Sequence, residues 1–190
     1  MLIGLISDTH IPEARSDVWP EAYERLAEAD LILHAGDLHS IDVVDALGEL
    51  APIYVARGNG DDGSSGRPVV AEDPRLRSAW SLDIAGLKVG LVHDLALPER
   101  PPTWTLEKIM EREFGGPQDI VIHGHTHVAE VEHRRGVLLV NPGSALYPRN
   151  METRLGTLAF LRIEEGRVDA WLEQLVDGGS EVVQEQPRYT

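Results

Sequence analysis

Leu2-Ile3-Gly4-Leu5-Ile6-Ser7-Asp8-Thr9-His10 opens the chain, and its reading sets the fold. A short, almost wholly apolar run ends in a polar turn, the pattern of a strand buried on both faces. Leu31–Ala35 and Pro52–Ala56 repeat the pattern, and Gly36-Asp37 and Gly58-Asn59 follow them. Helical spacing lies between these runs. Asp17 to Ala29 carries Val18, Tyr23, Leu26 and Ala27, with Asp17 placed to cap the helix. Ser40 can cap a second helix through Leu50, with an apolar face of Ile41, Val44, Leu47 and Val43. A β-α-β-α-β opening predicts parallel strands joined by helices.

Gly58 to Pro74 is rich in Gly, Ser, Asp and Pro and reads as a long loop. Beyond it the pattern changes. Trp80–Ile84 and Leu87–Val92 flank Ala85-Gly86, as in a hairpin. Leu95 to Pro102 holds three prolines and is expected to wrap the surface. Thr103–Phe114 has helical spacing, and Asp119–His123 reads as another buried strand. Two more hairpins are expected. Val128–His133 and Val137–Asn141 flank Arg134-Arg135-Gly136, and Gly156–Ile163 and Arg167–Leu175 flank Glu164-Glu165-Gly166. The first part is α/β and the last third is antiparallel β. Two packed sheets with helices outside satisfy both. One domain over residues 1–176 is expected, followed by a polar, poorly packed tail over 177–190.

The chain has 190 residues, enough for one real core. It has no cysteine, so any metal must be held by nitrogen and oxygen. A formal net charge of −15 argues against binding long nucleic acid. It does not exclude an anionic substrate, because bound cations reverse the local field. The opening apolar run is too short for a signal peptide, and no run approaches a membrane span. A cytoplasmic protein with no membrane partner is expected.

Five polar clusters sit at strand exits: Asp8-Thr9-His10, Gly36-Asp37, Gly58-Asn59, His93 and Gly124-His125-Thr126-His127. In an extended segment, residues two apart point to the same side, so Asp8 and His10 can share one ion. Taken singly, Asp-x-His and Gly-Asp are ordinary turn sequences, and a lone His93 is more often structural. The paired imidazoles of His125 and His127, behind a glycine and a strand, are harder to explain as surface residues. Together the clusters offer two carboxylates, one amide oxygen and four imidazoles. That set suits two borderline divalent cations sharing a carboxylate, and a close pair of such ions suits phosphate-ester hydrolysis. His34 and His123 lie inside strands and are expected to be buried structural residues, and His133 belongs to a hairpin.

The ordered set Asp-x-His, Gly-Asp, Gly-Asn, His, Gly-His-x-His resembles the calcineurin-like metallophosphoesterase superfamily. Gly58-Asn59-Gly60-Asp61 and Asn141-Pro142-Gly143-Ser144 look like its compact prokaryotic phosphodiesterase branch. The resemblance runs from about Leu2 to Arg149. It implies a four-layer α/β sandwich, two mixed sheets face to face with helices outside. It implies one metal bound by Asp8, His10, Asp37 and His127. A second is bound by Asp37, Asn59, His93 and His125, with Asp37 bridging. The ions could be Mn, Fe, Co, Ni or Zn. The implied nucleophile is solvent ionised between the cations, attacking phosphorus in line, with Asp37 and Asn59 central to catalysis.

Two positions depart from that pattern. Where many members carry His after Gly-Asn, this chain has Gly60. The loss of that acid favours phosphodiesters and acidic leaving groups over alkyl monoesters. Asp94 stands where the family has Gly after the ligand His. Further candidates are His39, which could approach the leaving group, Asp61, which could orient neighbours, and Arg57, which could reach a phosphate beside Gly60. Arg149 is equally open to a structural ion pair. The expected partner is a small phosphate ester, with self-association left open. The alternatives are a non-catalytic scaffold of the same fold, as in the eukaryotic retromer, or a hydrolase of small or cyclic nucleotides. A nuclease is weaker, because no basic stripe or aromatic run is present.

Overall fold

The three opening apolar runs form β1 (Leu2–Ile6), β2 (Leu31–His34) and β3 (Ile53–Ala56) in a computed structural model that describes residues 1–100, 102–149 and 155–185. They pair in parallel, with Leu5 opposite Leu33 and His34 opposite Val55. The helices α1 (Pro20–Leu26) and α2 (Asp42–Gly48) connect them. A two-residue strand β4 (Leu76–Arg77) follows β3 in the sheet. The hairpin strands are β5 (Ala79–Ile84), β6 (Leu87–Val92), β8 (Ala129–Arg134), β9 (Val137–Pro142), β10 (Thr157–Glu164) and β11 (Arg167–Val176). Between them come α3 (Leu106–Phe114) and β7 (Ile120–Ile122), and β12 (Gly179–Glu185) ends the described chain. One sheet has the order β12-β11-β10-β1-β2-β3-β4, the other β5-β6-β7-β9-β8. Both are mixed, as the resemblance implies.

Alternation along the strands makes the layers. Leu5, Leu33, Leu91, Ile122, Val140 and Leu161 are buried between the sheets. On the outer face of the larger sheet, Ile32 and Phe160 pack with Leu26, Val44 and Leu47 of the helices. Val121 and Leu139 do the same with Ile109 and Met110 of α3. The result is the expected four-layer sandwich.

Helix ends differ from the sequence reading. α1 starts at Pro20, which has no N–H to leave unpaired and a φ already suited to a first turn. Asp17 is not its cap. Its Oδ1 accepts from Val18 N and from the Tyr23 hydroxyl, both at 2.8 Å. α2 begins at Asp42 with Ile41 before it, and Ser40 Oγ accepts from Asp42 N at 3.2 Å ahead of the helix. α3 keeps a true cap, Thr105 accepting from Lys108 N, and ends at left-handed Gly115.

The polar tail needs correction. Residues 179–185 are an edge strand paired with β11, and only 186–190 of that stretch lie outside the described residues. A buried carboxylate holds the pairing. Glu173 is 3 % exposed and receives Arg25 Nε at 2.7 Å, Arg25 Nη2 at 2.6 Å, Trp171 Nε1 at 2.7 Å and Ser180 Oγ at 2.6 Å. Burial would raise its pKa, but these donors outweigh it and hold the carboxyl below its usual value. Removing one partner of such a pair strands a buried charge. Arg25→Met is therefore expected to cost about 3 kcal/mol in urea unfolding, with the spectrum of the folded state unchanged.

Candidate metal centre

Each polar cluster leaves the tip of a central strand at the same end of the sandwich. Asp8, Asp37 and Asn59 follow β1, β2 and β3, while His93 follows β6 and His125 and His127 follow β7. The two sheets thus supply one half of the site each. Their local backbone is not extended, as the reading of Asp8 and His10 assumed. Asp8, His10, Asp37, His125 and His127 have φ of 53°, 49°, 57°, 69° and 59°. The left-handed region costs an L-residue roughly 1–2 kcal/mol, and here it turns successive side chains inward. Glycine allows the loops to meet. A Cβ on Gly58 would lie 2.1 Å from Asp37 Oδ1, and one on Gly124 would lie 2.0 Å from Ser7 Oγ.

The side chains converge through atoms that carry lone pairs. His127 Nε2 is 3.3 Å from Asp8 Oδ1, and His10 Nε2 lies 3.7 Å from that oxygen and 3.6 Å from Asp37 Oδ2. His93 Nε2 stands 3.3 Å from Asp37 Oδ1 and 3.2 Å from Asn59 Oδ1. His125 Nδ1 is 3.1 Å from the same Asn59 oxygen and 3.3 Å from His93 Nε2. Backbone carbonyls fix two tautomers. His93 Nδ1 donates to Ala35 O at 2.7 Å and His127 Nδ1 to Tyr147 O at 2.9 Å. In the neutral rings, the nitrogens facing the cluster are then acceptors.

Acceptors aimed at acceptors in a buried place need a cation between them. Asp8 Oδ1, His10 Nε2 and His39 Nε2 are buried with no hydrogen-bond partner among the described residues. Three groups of side chains could hold an ion: Asp8, His10 and His127; His10, Asp37 and His39; and Asp8, Asp37 and His93. Burial would raise the Asp8 carboxyl, but His10, His127 and His93 outweigh it and hold the group well below the usual carboxylate range. His127 is raised, because its contact with Asp8 outweighs burial. The residues present therefore fit divalent metal.

Around this cluster the other candidates sort clearly. Gly60 N donates to Asp37 Oδ1 at 2.7 Å. A Cβ at Gly60 would lie 2.4 Å from His39 Nε2, so His39 fills the space beside the Gly-Asn turn. Glu13 Oε2 receives His39 Nδ1 at 2.7 Å, and the His39 and His10 rings are 4.3 Å apart. Asp61 is fully buried. Its two oxygens accept from His39 N and Gly58 N, both at 2.9 Å, and join two site loops. Arg57 lines a cavity together with Asn59, His93 and His125. Its Nη1 donates to Val70 O at 2.7 Å and Asp61 O at 3.2 Å, and its Nη2 faces Glu72 at 3.4 Å. Asp94 Oδ1 accepts from Ala96 N at 2.6 Å and shapes the next loop.

His34 holds the frame, whereas His123, expected to be buried within a strand, stands just after β7, partly exposed on the wall of a cavity. His34 Nδ1 accepts from Gly36 N at 3.0 Å and its Nε2 lies 3.3 Å from Thr9 Oγ1, tying the two aspartate loops together. Burial pushes it down to about 3, and His123 down to about 4. Residues that the sequence reading left unassigned form the outer support. Ser7 Oγ and His125 N donate to Asp8 Oδ2 at 2.5 and 3.0 Å, and Ser144 Oγ donates to Asp8 O at 2.7 Å. Asn141 Nδ2 donates to Gly124 O at 2.9 Å and Thr126 Oγ1 at 3.0 Å, clamping the last loop. The Asn141-Pro142-Gly143-Ser144 motif was the available signal. Glu13 had none.

Fold and site together define a class. The profile of the calcineurin-like phosphoesterase superfamily domain matches residues 1–166, and the chain belongs to that superfamily. Phosphoester hydrolysis with divalent metal is the chemistry of the family. A probable metallophosphoesterase of Methanothermobacter thermautotrophicus is 37 % identical over 170 residues, 90 % of each chain. One from Bacillus subtilis is 30 % identical over 191 residues, 100 % of this chain and 99 % of that one. Among solved structures, wild-type Vps29 of Entamoeba histolytica complexed with zinc is similar, with a TM-score of 0.69 and 26 % identity. That match covers 100 % of this chain and 98 % of the other.

His34 makes the metal-free fold sensitive to acid. An unfolded histidine takes its proton near 6.5, while the folded one resists to about 3. The stability this contributes is complete above 6.5 and drains as the pH falls towards 3, by up to about 1.4 kcal/mol per pH unit. Imidazole ¹⁵N NMR of the metal-free protein at pH 5 is expected to show His34 neutral.

Proposed function

We propose that the chain hydrolyses phosphate esters, diesters in preference to alkyl monoesters, with two divalent cations per molecule. One cation would be held by Asp8, His10, Asp37 and His127, the other by Asp37, Asn59, His93 and His125. The observation that carries this reading is the convergence of Asp8 Oδ1 and His10 Nε2, both buried with no hydrogen-bond partner among the described residues. When bound, the cations supply positive charge for the phosphoryl oxygens and activation of water as nucleophile.

The chain's own residues do the rest. Asp37 stands between the two halves of the site, its Oδ1 towards His93 and its Oδ2 towards His10. Gly60 N fixes that carboxylate. Ser7 Oγ and His125 N fix Asp8. Asn59 adds an oxygen without adding charge, which leaves the loaded site positive and attractive to an anion within an acidic protein. The backbone strain at five ligand positions supports a working site rather than a scaffold, since such strain persists where function requires it.

His39 is the group we place at the leaving oxygen. It occupies the space a residue at position 60 would take, and Glu13 orients its ring so that Nε2 faces the cluster. Gly60 itself offers no side chain there.

Bis-p-nitrophenyl phosphate is expected to be cleaved with Mn²⁺ and not after chelation, and faster than β-glycerophosphate. Asp37→Ala should lower that rate at least about a hundredfold. Metal analysis should find two ions per wild-type chain and fewer in His93→Ala, and an unchanged count in that variant would defeat the ligand assignment. His39→Gln should slow methyl-leaving substrates about tenfold or more beyond its effect on p-nitrophenyl-leaving ones. Equal losses on both would remove His39 from the leaving-group side.

A further inference from the structure

A cavity of about 530 Å³ opens off the metal cluster on the side of His125. That volume is in the range of small-molecule sites. Gly124 and His125 belong both to its wall and to the candidate metal loop. The opposite wall is formed by residues 94–98, Arg100, Thr103 and Trp104. Its conformation is built: Ala96 N donates to Asp94 Oδ1 at 2.6 Å, and Ala96 O receives Trp104 Nε1 at 2.9 Å. Arg100 and Trp104 exchange backbone hydrogen bonds at 2.7 and 3.0 Å. Leu95 anchors the segment at 1 % exposure. Asp94, the residue that departs from the family's glycine, is thus the hinge post of this wall.

The lining has a definite chemistry. Trp104 presents an indole already held from one direction by Arg112, whose guanidinium lies 4.2 Å from the ring centroid. Leu97 adds apolar surface. Arg100 lines the same cavity, and its side chain has no ion pair or hydrogen bond among the described residues. In a protein of net charge −15, this sets an exposed cationic group beside an aromatic wall. An indole face favours a flat ring. A guanidinium at its edge favours acceptor atoms on that ring's rim, or the ring's own π face.

We propose that this cavity is the subsite for the ester group that the substrate keeps, and that it takes a planar aromatic or heteroaromatic ring. The inference rests on the phosphodiesterase reading above. His39 stands beside His10, while the cavity opens beside His125, so the retained group and the leaving group occupy different sides of the cluster. Trp104 supplies the stacking surface and Arg100 selects for rings that carry acceptors.

The test uses three substrates with one leaving group, the methyl, benzyl and thymidine-5′ esters of p-nitrophenyl phosphate. Each retains a primary alkyl oxygen, so the phosphorus is similarly reactive in all three. Wild-type kcat/KM is expected to favour benzyl and thymidine over methyl by about tenfold. Trp104→Ala should remove most of that preference and leave the methyl ester within about twofold, while Trp104→Phe keeps it. Arg100→Met should lower thymidine turnover more than benzyl. Calorimetry with the manganese-loaded protein supplies a second readout: benzylphosphonate should bind about tenfold tighter than methylphosphonate, and Trp104→Ala should abolish the difference. Equal rates for methyl and benzyl in the wild type, or a uniform loss in Trp104→Ala, would overturn the subsite. If no ester is cleaved, the hydrolase reading fails, and the phosphonate comparison still decides whether the cavity prefers a ring.

Discussion

Lone pairs that face one another away from water repel unless positive charge lies between them, and this molecule gathers them from both of its sheets. Asp8, Asp37 and Asn59 arrive on one sheet, His93, His125 and His127 on the other. The spacing of the two halves is set by the hydrophobic layer between the sheets, where Leu5, Leu33, Leu91 and Ile122 pack. Such interiors resist small shifts. The chemistry at the strand tips therefore depends on side chains that never touch it. The polar frame around the tips works in the same direction: Ser7, Ser144, Asn141 and His34 each fix a loop rather than face the cluster.

Much of this was legible from residue order. Short apolar runs ended by polar turns located the central strands, and Gly between apolar runs located the hairpins. What failed was local competition between signals. Asp17 is a good capping residue, but Pro20 starts α1 because its fixed φ and missing N–H suit that place better. The strand over 179–185 carried too many polar residues to show a buried face. It forms because β11 is long enough to offer an open ladder and Glu173 is there to bind Ser180.

Within the site, residue types were readable and geometry was not. Proximity of Asp8 to His10 was argued from an extended backbone, yet both residues are left-handed. Asp and His enter that region more often than most residues, but their spacing alone did not place them there. Arg57 follows β3 as its position implied, but that its Nη1 is held by the carbonyls of Asp61 and Val70 could not be read from the sequence. Glu13 and His39 meet across 26 positions, through loops whose relative placement only the folded chain reveals.

The overlap between Gly60 and the His39 ring sets a condition on any redesign of the site. A Cβ at 60 would lie 2.4 Å from His39 Nε2, the outer end of a ring that can turn, so a residue larger than glycine fits there only if that imidazole swings aside and gives up its hold on Glu13.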